Sequence, residues 1–151
     1  MQTDSISKKI ATSFGLGYVS TFPGTMASFL ILFPLWFIKD NINNYYFLLL
    51  ILLLSICSLL IIKKAISNSQ DKDPKCIIID EYIGQSFAIM FVDQQITQYF
   101  LAFLFFRVFD IFKPFPINLI DSFKNEYGVL FDDILAGIYS GIIVILLSRW
   151  I

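Results

Sequence analysis

YYFLLLILLLSICSLLII, residues 45–62, runs for 18 positions without a charge. A stretch this long and apolar is a membrane-span candidate, because ~20 helical residues cross the ~30 Å hydrocarbon core of a bilayer. Outward from it, residues 25–38 form a shorter apolar segment closed by Lys39 and Asp40. Residues 134–148, ILAGIYSGIIVILLS, form another that ends at Arg149 and Trp150. Two weaker segments lie between. Residues 76–92 are apolar apart from Asp80, Glu81 and a few small polar groups, and residues 96–109 are interrupted chiefly by Gln98 and Arg107. The tetrapeptide VDQQ, 92–95, links these two tightly. Fourteen residues rise only ~21 Å, so some segments enter the bilayer in part. The expected fold is all-α: a small polytopic integral membrane helical bundle with about five short spans or part-spans. It forms a single membrane-embedded domain over residues 1–151, with residues 1–13 as a polar cytoplasmic arm.

Composition agrees. The chain is 151 residues long, 57% hydrophobic and 15% charged, with a mean hydropathy of +0.74. A soluble domain of this size has too little interior to hide that much apolar surface. The net charge of −1 gives no support to nucleic-acid binding. Cys57 and Cys76 provide neither a disulfide framework nor metal-ligand spacing. The N-terminus, MQTDSISKKI, lacks a signal-peptide apolar core, so insertion is expected through the internal spans. The chain contains no histidine. That excludes histidine bases, phosphohistidine intermediates and histidine metal ligands.

Basic residues orient the segments. Lys8 and Lys9 lie in the arm, Lys63, Lys64, Lys72 and Lys75 in the solvated stretch 63–75, and Arg107, Lys113 and Lys124 in 107–124. Five spans with the N-terminus inside place all three basic stretches in the cytoplasm. Asp80-Glu81, the stretch from Arg107 to Asp121, Asp132-Asp133 and residues 15–25 then share that face.

Ionised carboxylates at membrane depth are costly and usually have a functional partner. Asp80-Glu81 follows three isoleucines, and a helix N-terminus would favour the pair through its dipole. Asp132-Asp133 precedes an apolar run; one Asp suffices as an N-cap, which leaves the other unexplained. Gly137 and Gly141 form a face on which another helix can approach closely. Arg107, Asp110 and Lys113 recur every three residues, on one face of a helix that Pro114 and Pro116 should end. A salt-bridge ladder at the interface would account for that trio alone. Together with two acidic pairs at the same face, it favours a site. Carboxylates without histidine or thiolate ligands suit a hard cation such as Mg²⁺. Arg and Lys beside them suit an anion, most simply phosphate. Gly15, Gly17 and Gly24 could offer backbone N–H groups to the same phosphate.

Other phosphatase signatures are excluded. Neither cysteine has an arginine six positions on, and Asp71-Lys72-Asp73 follows SNSQ rather than an apolar strand. The Asp-Gly-x2-Ala-Arg motif of phosphatidyl-alcohol transferases is absent.

Four blocks in order carry a family resemblance: FGLGYVSTFPGTMAS at 14–28, DEYIG at 80–84, FRVFDIFKPFPI at 106–117 and DDILAG at 132–137. Through them the chain resembles the phosphatidylglycerophosphatase A family over about residues 14–141. The third block is long and specific. Ser20 and Ala27 stand where the family often has proline and glycine, and NEYGVLFDD keeps only Gly128 where the family's loop is usually richer in glycine, often with a histidine. The resemblance implies a Mg²⁺-dependent phosphatase of the bacterial cytoplasmic (inner) membrane, multi-pass, with its active site facing the cytoplasm. It implies phosphatidylglycerophosphate as substrate, and phosphatidylglycerol and inorganic phosphate as products. It maps acidic roles onto Asp80, Glu81, Asp110, Asp132 and Asp133. Of these, Asp80, Glu81, Asp132 and Asp133 would bind Mg²⁺, with Asp110 close behind. Arg107 and Lys113 would hold phosphate oxygens, with Thr25 and Gly24 completing the cradle and Asp121 as a partner behind the site. Attack by water and a phospho-aspartyl intermediate both remain open. The competing readings are a phosphatase for another anionic lipid phosphate, a non-enzymatic ion-transport protein, and a structural membrane subunit. Transport predicts carboxylates near the bilayer midplane and usually an internal repeat; here they cluster at one face without a repeat.

Overall fold

The computed structural model describes residues 2–19, 21–67 and 74–149, with residues 2–5 described by backbone alone. Ser20, the Asp71-Lys72-Asp73 stretch and Trp150 lie outside the described residues. Among the described residues eight α-helices follow one another: α1 (Gln2–Ala11), α2 (Leu16–Val19), α3 (Pro23–Asn41), α4 (Asn44–Ile66), α5 (Ile79–Met90), α6 (Ile96–Phe112), α7 (Ile117–Asp121) and α8 (Glu126–Ser148). No strand occurs among the described residues, so the all-α expectation holds.

The expectation of about five spans or part-spans is met in part among the described residues. Two helices among the described residues, α4 and α8, are by themselves long and apolar enough to cross a membrane. Each has 23 residues, a rise of ~34 Å. The 12 residues of α5 rise only ~18 Å. Helix α3 contains Pro34 and ends at Lys39, Asp40 and Asn41, and α6 carries Arg107 and Asp110 in its last two turns. The polar arm is also more than an extension. It folds as α1 and packs on α4, with Ala11 fully buried and its carbonyl accepting from Ile78 N–H at 2.9 Å.

Local chemistry sets the helix ends. The Asn43 side chain accepts from Tyr45 N–H to cap α4, and that of Asn125 accepts from Tyr127 and Gly128 N–H to cap α8. Such caps satisfy donors that the first turn leaves without intrahelical partners. Helix α8 therefore starts well before the apolar run, and Asp132 and Asp133 lie almost two turns inside it rather than at its N-cap. Helix α6 ends as expected before Pro114: Lys113 turns left-handed at φ 44°, and its N–H donates to Phe109 O at 2.8 Å. At the other end of the bundle, the Lys39 ammonium donates to the carbonyls of Ile89, Met90 and Val92, closing the end of α5.

Helix α5 is central. It packs against α3, α4, α6 and most extensively α8. Glycines make that last contact. A Cβ on Gly137 would lie 2.0 Å from the Gly84 carbonyl oxygen, and one on Gly84 would lie 2.6 Å from the Asp133 carbonyl oxygen. The small-residue face expected at Gly137 and Gly141 thus meets α5, and the backbones come close enough to bring Asp80 and Glu81 beside Asp133.

Gly137→Ala should therefore destabilise the bundle, because backbone cannot turn aside as a side chain can. Overpacking of this kind costs roughly 1–3 kcal/mol. The thermal midpoint in detergent should fall by several degrees, whereas Cys57→Ala, at an exposed position, should leave it in place.

Candidate active site

A cavity of about 470 Å³ opens between the N-termini of α3 and α5, the end of α6 and the second turn of α8. Asp80, Glu81, Arg107, Asp110, Lys113, Asp132 and Asp133 all line it, together with Gly24 and Thr25. Four stretches separated by up to about a hundred residues meet there. Asp121 is absent from the lining; it stands behind Lys113 and bonds to it.

The acidic residues fall into two overlapping groups. Asp80, Glu81 and Asp133 can each place a carboxylate oxygen within 4.8 Å of the others, and so can Asp110, Asp132 and Asp133. Asp133 belongs to both. The first turn of α5 supplies Asp80 and Glu81, where the helix dipole favours negative charge. Asp80 is 7% exposed. Its Oδ1 and the Oε2 of Glu81 are buried without a hydrogen-bond partner. Such orphaned acceptors are costly unless something positive meets them. Three hard oxygen donors with two unsatisfied atoms fit a hard divalent cation.

The cations that line the cavity pair with its other carboxylates. Arg107 Nη2 bonds Asp110 Oδ2 at 2.9 Å, and Arg107 Nη1 donates to Ser28 Oγ at 3.2 Å. Lys113 bonds Asp121, and Asp132 Oδ2 at 2.7 Å. The expected ladder is therefore only half formed. Arg107 and Asp110 pair as helix neighbours, whereas the left-handed turn carries Lys113 away to α7 and α8. Burial alone would lower the Lys113 pKa; the bonds to Asp121 and Asp132 overcome this and hold it above the ordinary lysine value. Lys113 stays an ammonium throughout the neutral range.

Gly24 lies in the first turn of α3, whose N–H groups have no intrahelical acceptors. A Cβ there would lie 2.2 Å from Glu81 Oε1 and 3.1 Å from Arg107 Nη2. The absent side chain makes room for both groups. Gly15 and Gly17 do not join the cavity. Their N–H groups both donate to the Thr12 carbonyl, and Gly17 packs against the Cys76 carbonyl. Sequence reasoning counted Lys75 only for orientation, yet it also lines the cavity. Ser28, fully buried, was missed as a partner of Arg107; its place one helical turn after Gly24 was the available signal.

The chain is similar to known proteins along almost its whole length. A family model described as phosphatidylglycerophosphatase A matches residues 9–148. A Haemophilus influenzae protein named phosphatidylglycerophosphatase A is 31% identical, over 93% of this chain and 88% of its own length. An Escherichia coli protein of the same name is 30% identical, over 93% and 83%. A Bacteroides thetaiotaomicron protein named "Putative phosphatidylinositol-3-phosphatase" is 31% identical, over 94% and 92%. No solved structure matches.

Gly24→Ala tests the site's geometry. The added methyl meets the movable end of Glu81, so the protein should fold with a near-normal thermal midpoint. Displacing one charged contact worth ~1.5–3 kcal/mol should reduce phosphatase turnover by about tenfold or more. Unchanged turnover would mean that the position of Glu81 beside α3 is immaterial.

Proposed function

The chain belongs to the phosphatidylglycerophosphatase A family of phosphatases, and on that footing we propose that it hydrolyses the terminal phosphate of phosphatidylglycerophosphate with Mg²⁺ as cofactor. The observation that carries this reading is the cavity itself, where carboxylates suited to a hard cation stand beside Arg107 and Lys113. Asp80, Glu81 and Asp133 hold the cation, with Asp132 and Asp110 adjoining. Bound there, Mg²⁺ neutralises phosphate charge and makes phosphorus more electrophilic.

The chain's own groups do the rest. Arg107 and Lys113 orient the phosphate oxygens, and Lys75 adds positive charge to the cavity wall. Gly24 and Thr25 offer the N-terminus of α3 to the same anion. A water oxygen bonds to phosphorus as the ester P–O bond breaks. With no histidine in the chain, a cavity carboxylate takes the water's proton. The carboxylate returns that proton to the departing glycerol oxygen, leaving phosphatidylglycerol and inorganic phosphate.

The protein's exterior suits a lipid substrate. Phe29, Phe33, Leu53, Ile56 and Phe100 are all more than half exposed. An apolar groove of about 360 Å³ runs between α3 and α6, lined by residues such as Phe33, Trp36 and Tyr99. In this reading α4 and α8 cross the bacterial inner membrane, and α3, α5 and α6 enter it as short spans or part-spans. The cavity faces the cytoplasm, where the basic stretches lie. The Bacteroides relative supports a second reading, in which another lipid phosphate, phosphatidylinositol 3-phosphate, is the substrate.

Phosphate release from the purified chain on defined lipids separates these. Phosphatidylglycerophosphate should be cleaved with Mg²⁺ and not in excess chelator, and faster than phosphatidylinositol 3-phosphate; the reverse order would transfer the assignment. Lys113→Met should lower turnover at least about tenfold while leaving the affinity of Asp80, Glu81 and Asp133 for their cation near normal, because a charge-assisted contact is worth ~1.5–3 kcal/mol. Asp80→Asn should weaken cation binding itself. A stable Lys113→Met variant with wild-type turnover would remove Lys113 from phosphate binding.

A further inference from the structure

We propose that the five carboxylates form two cation positions that share Asp133 and fill in order, the second only with a phosphate group. The proposal deepens the phosphatase reading and rests on it for the identity of the anion.

Asp133 is the common member of the two groups within 4.8 Å, and a carboxylate has two oxygens with which to serve both. The positions differ in what already occupies them. Asp110 is bonded to Arg107 and Asp132 to Lys113. Among the described residues, no Lys or Arg forms an ion pair with Asp80, Glu81 or Asp133. Asp80 is more than nine-tenths buried, with Oδ1 lacking any hydrogen-bond partner, as does Glu81 Oε2. The Asp80–Glu81–Asp133 position is therefore ready for a cation in the free protein. At the Asp110–Asp132–Asp133 position an incoming cation competes with Arg107 and Lys113. A phosphate group removes that competition: both side chains can turn to its oxygens, and Asp110 and Asp132 become available as ligands. Lys113 also retains Asp121 as a second anchor, so it can release Asp132 without losing every anionic partner.

Equilibrium dialysis of the full chain in detergent, with Mn²⁺ as probe, tests this. One Mn²⁺ should bind per chain without an anion, and two in saturating orthovanadate, a phosphate-shaped ligand. The electron paramagnetic resonance spectrum of the two-Mn²⁺ state should show dipolar coupling between the ions, as a shared carboxylate requires. Lys113→Met should take up the second Mn²⁺ without vanadate, and Asp133→Asn should lose binding at both positions. Two equal sites without vanadate, or one site in its presence, would overturn the proposal; wild-type stoichiometry decides this even if a variant fails to fold. Loss of the lipid-phosphatase reading would instead appear as absent lipid turnover with one Mn²⁺ still bound.

Discussion

Asp80, Glu81 and Asp133 hold three carboxylates within reach of one point, and no Lys or Arg among the described residues pairs with them. Charge removed from water in this way is sustained only by a compensating partner. Much of the architecture serves this arrangement. Gly84 and Gly137 let α5 and α8 approach until their acidic residues converge. Gly24 makes room for Glu81 and Arg107 together. The turns after α6 carry Lys113 across to Asp121 and Asp132, balancing the acidic groups that remain.

The same arrangement divides the molecule into a polar end and an apolar body. The N-termini of α3 and α5 contribute to the cavity, and the positive ends of their dipoles suit both the acidic pair and an incoming anion. Away from the cavity, aromatic and aliphatic side chains face outward along α3, α4 and α6. A lipid phosphate matches this division, with its head group at the polar end and its acyl chains beside the body. An ion-transport reading lacks this fit, since the carboxylates gather at one end rather than along a path.

Much of this was legible in the sequence, and the omissions have physical causes. The uncharged run at 45–62 marked α4, and Pro114 marked the end of α6. Asp132-Asp133 was legible as important but not as mid-helical. The apolar run begins at Ile134, while the helix begins at an Asn125 cap whose signal lies in polar residues. Helix α1 was hidden because hydropathy detects apolar runs, not short polar helices that pack by one face. The partners of Lys113 could not be read from i, i+3 spacing, since a left-handed residue at the helix end redirects its side chain. The role of Gly24 emerged only in three dimensions, because it depends on how close α3 comes to Glu81.

Catalysis as proposed requires the Asp80, Glu81 and Asp133 carboxylates to hold a divalent cation. An experimental structure of the protein with Mn²⁺, and without any phosphate ligand, would test it through the anomalous scattering of the metal. A peak is expected within bonding distance of oxygens from all three residues. A cavity without that peak, under conditions in which the protein binds Mn²⁺ in solution, would contradict it.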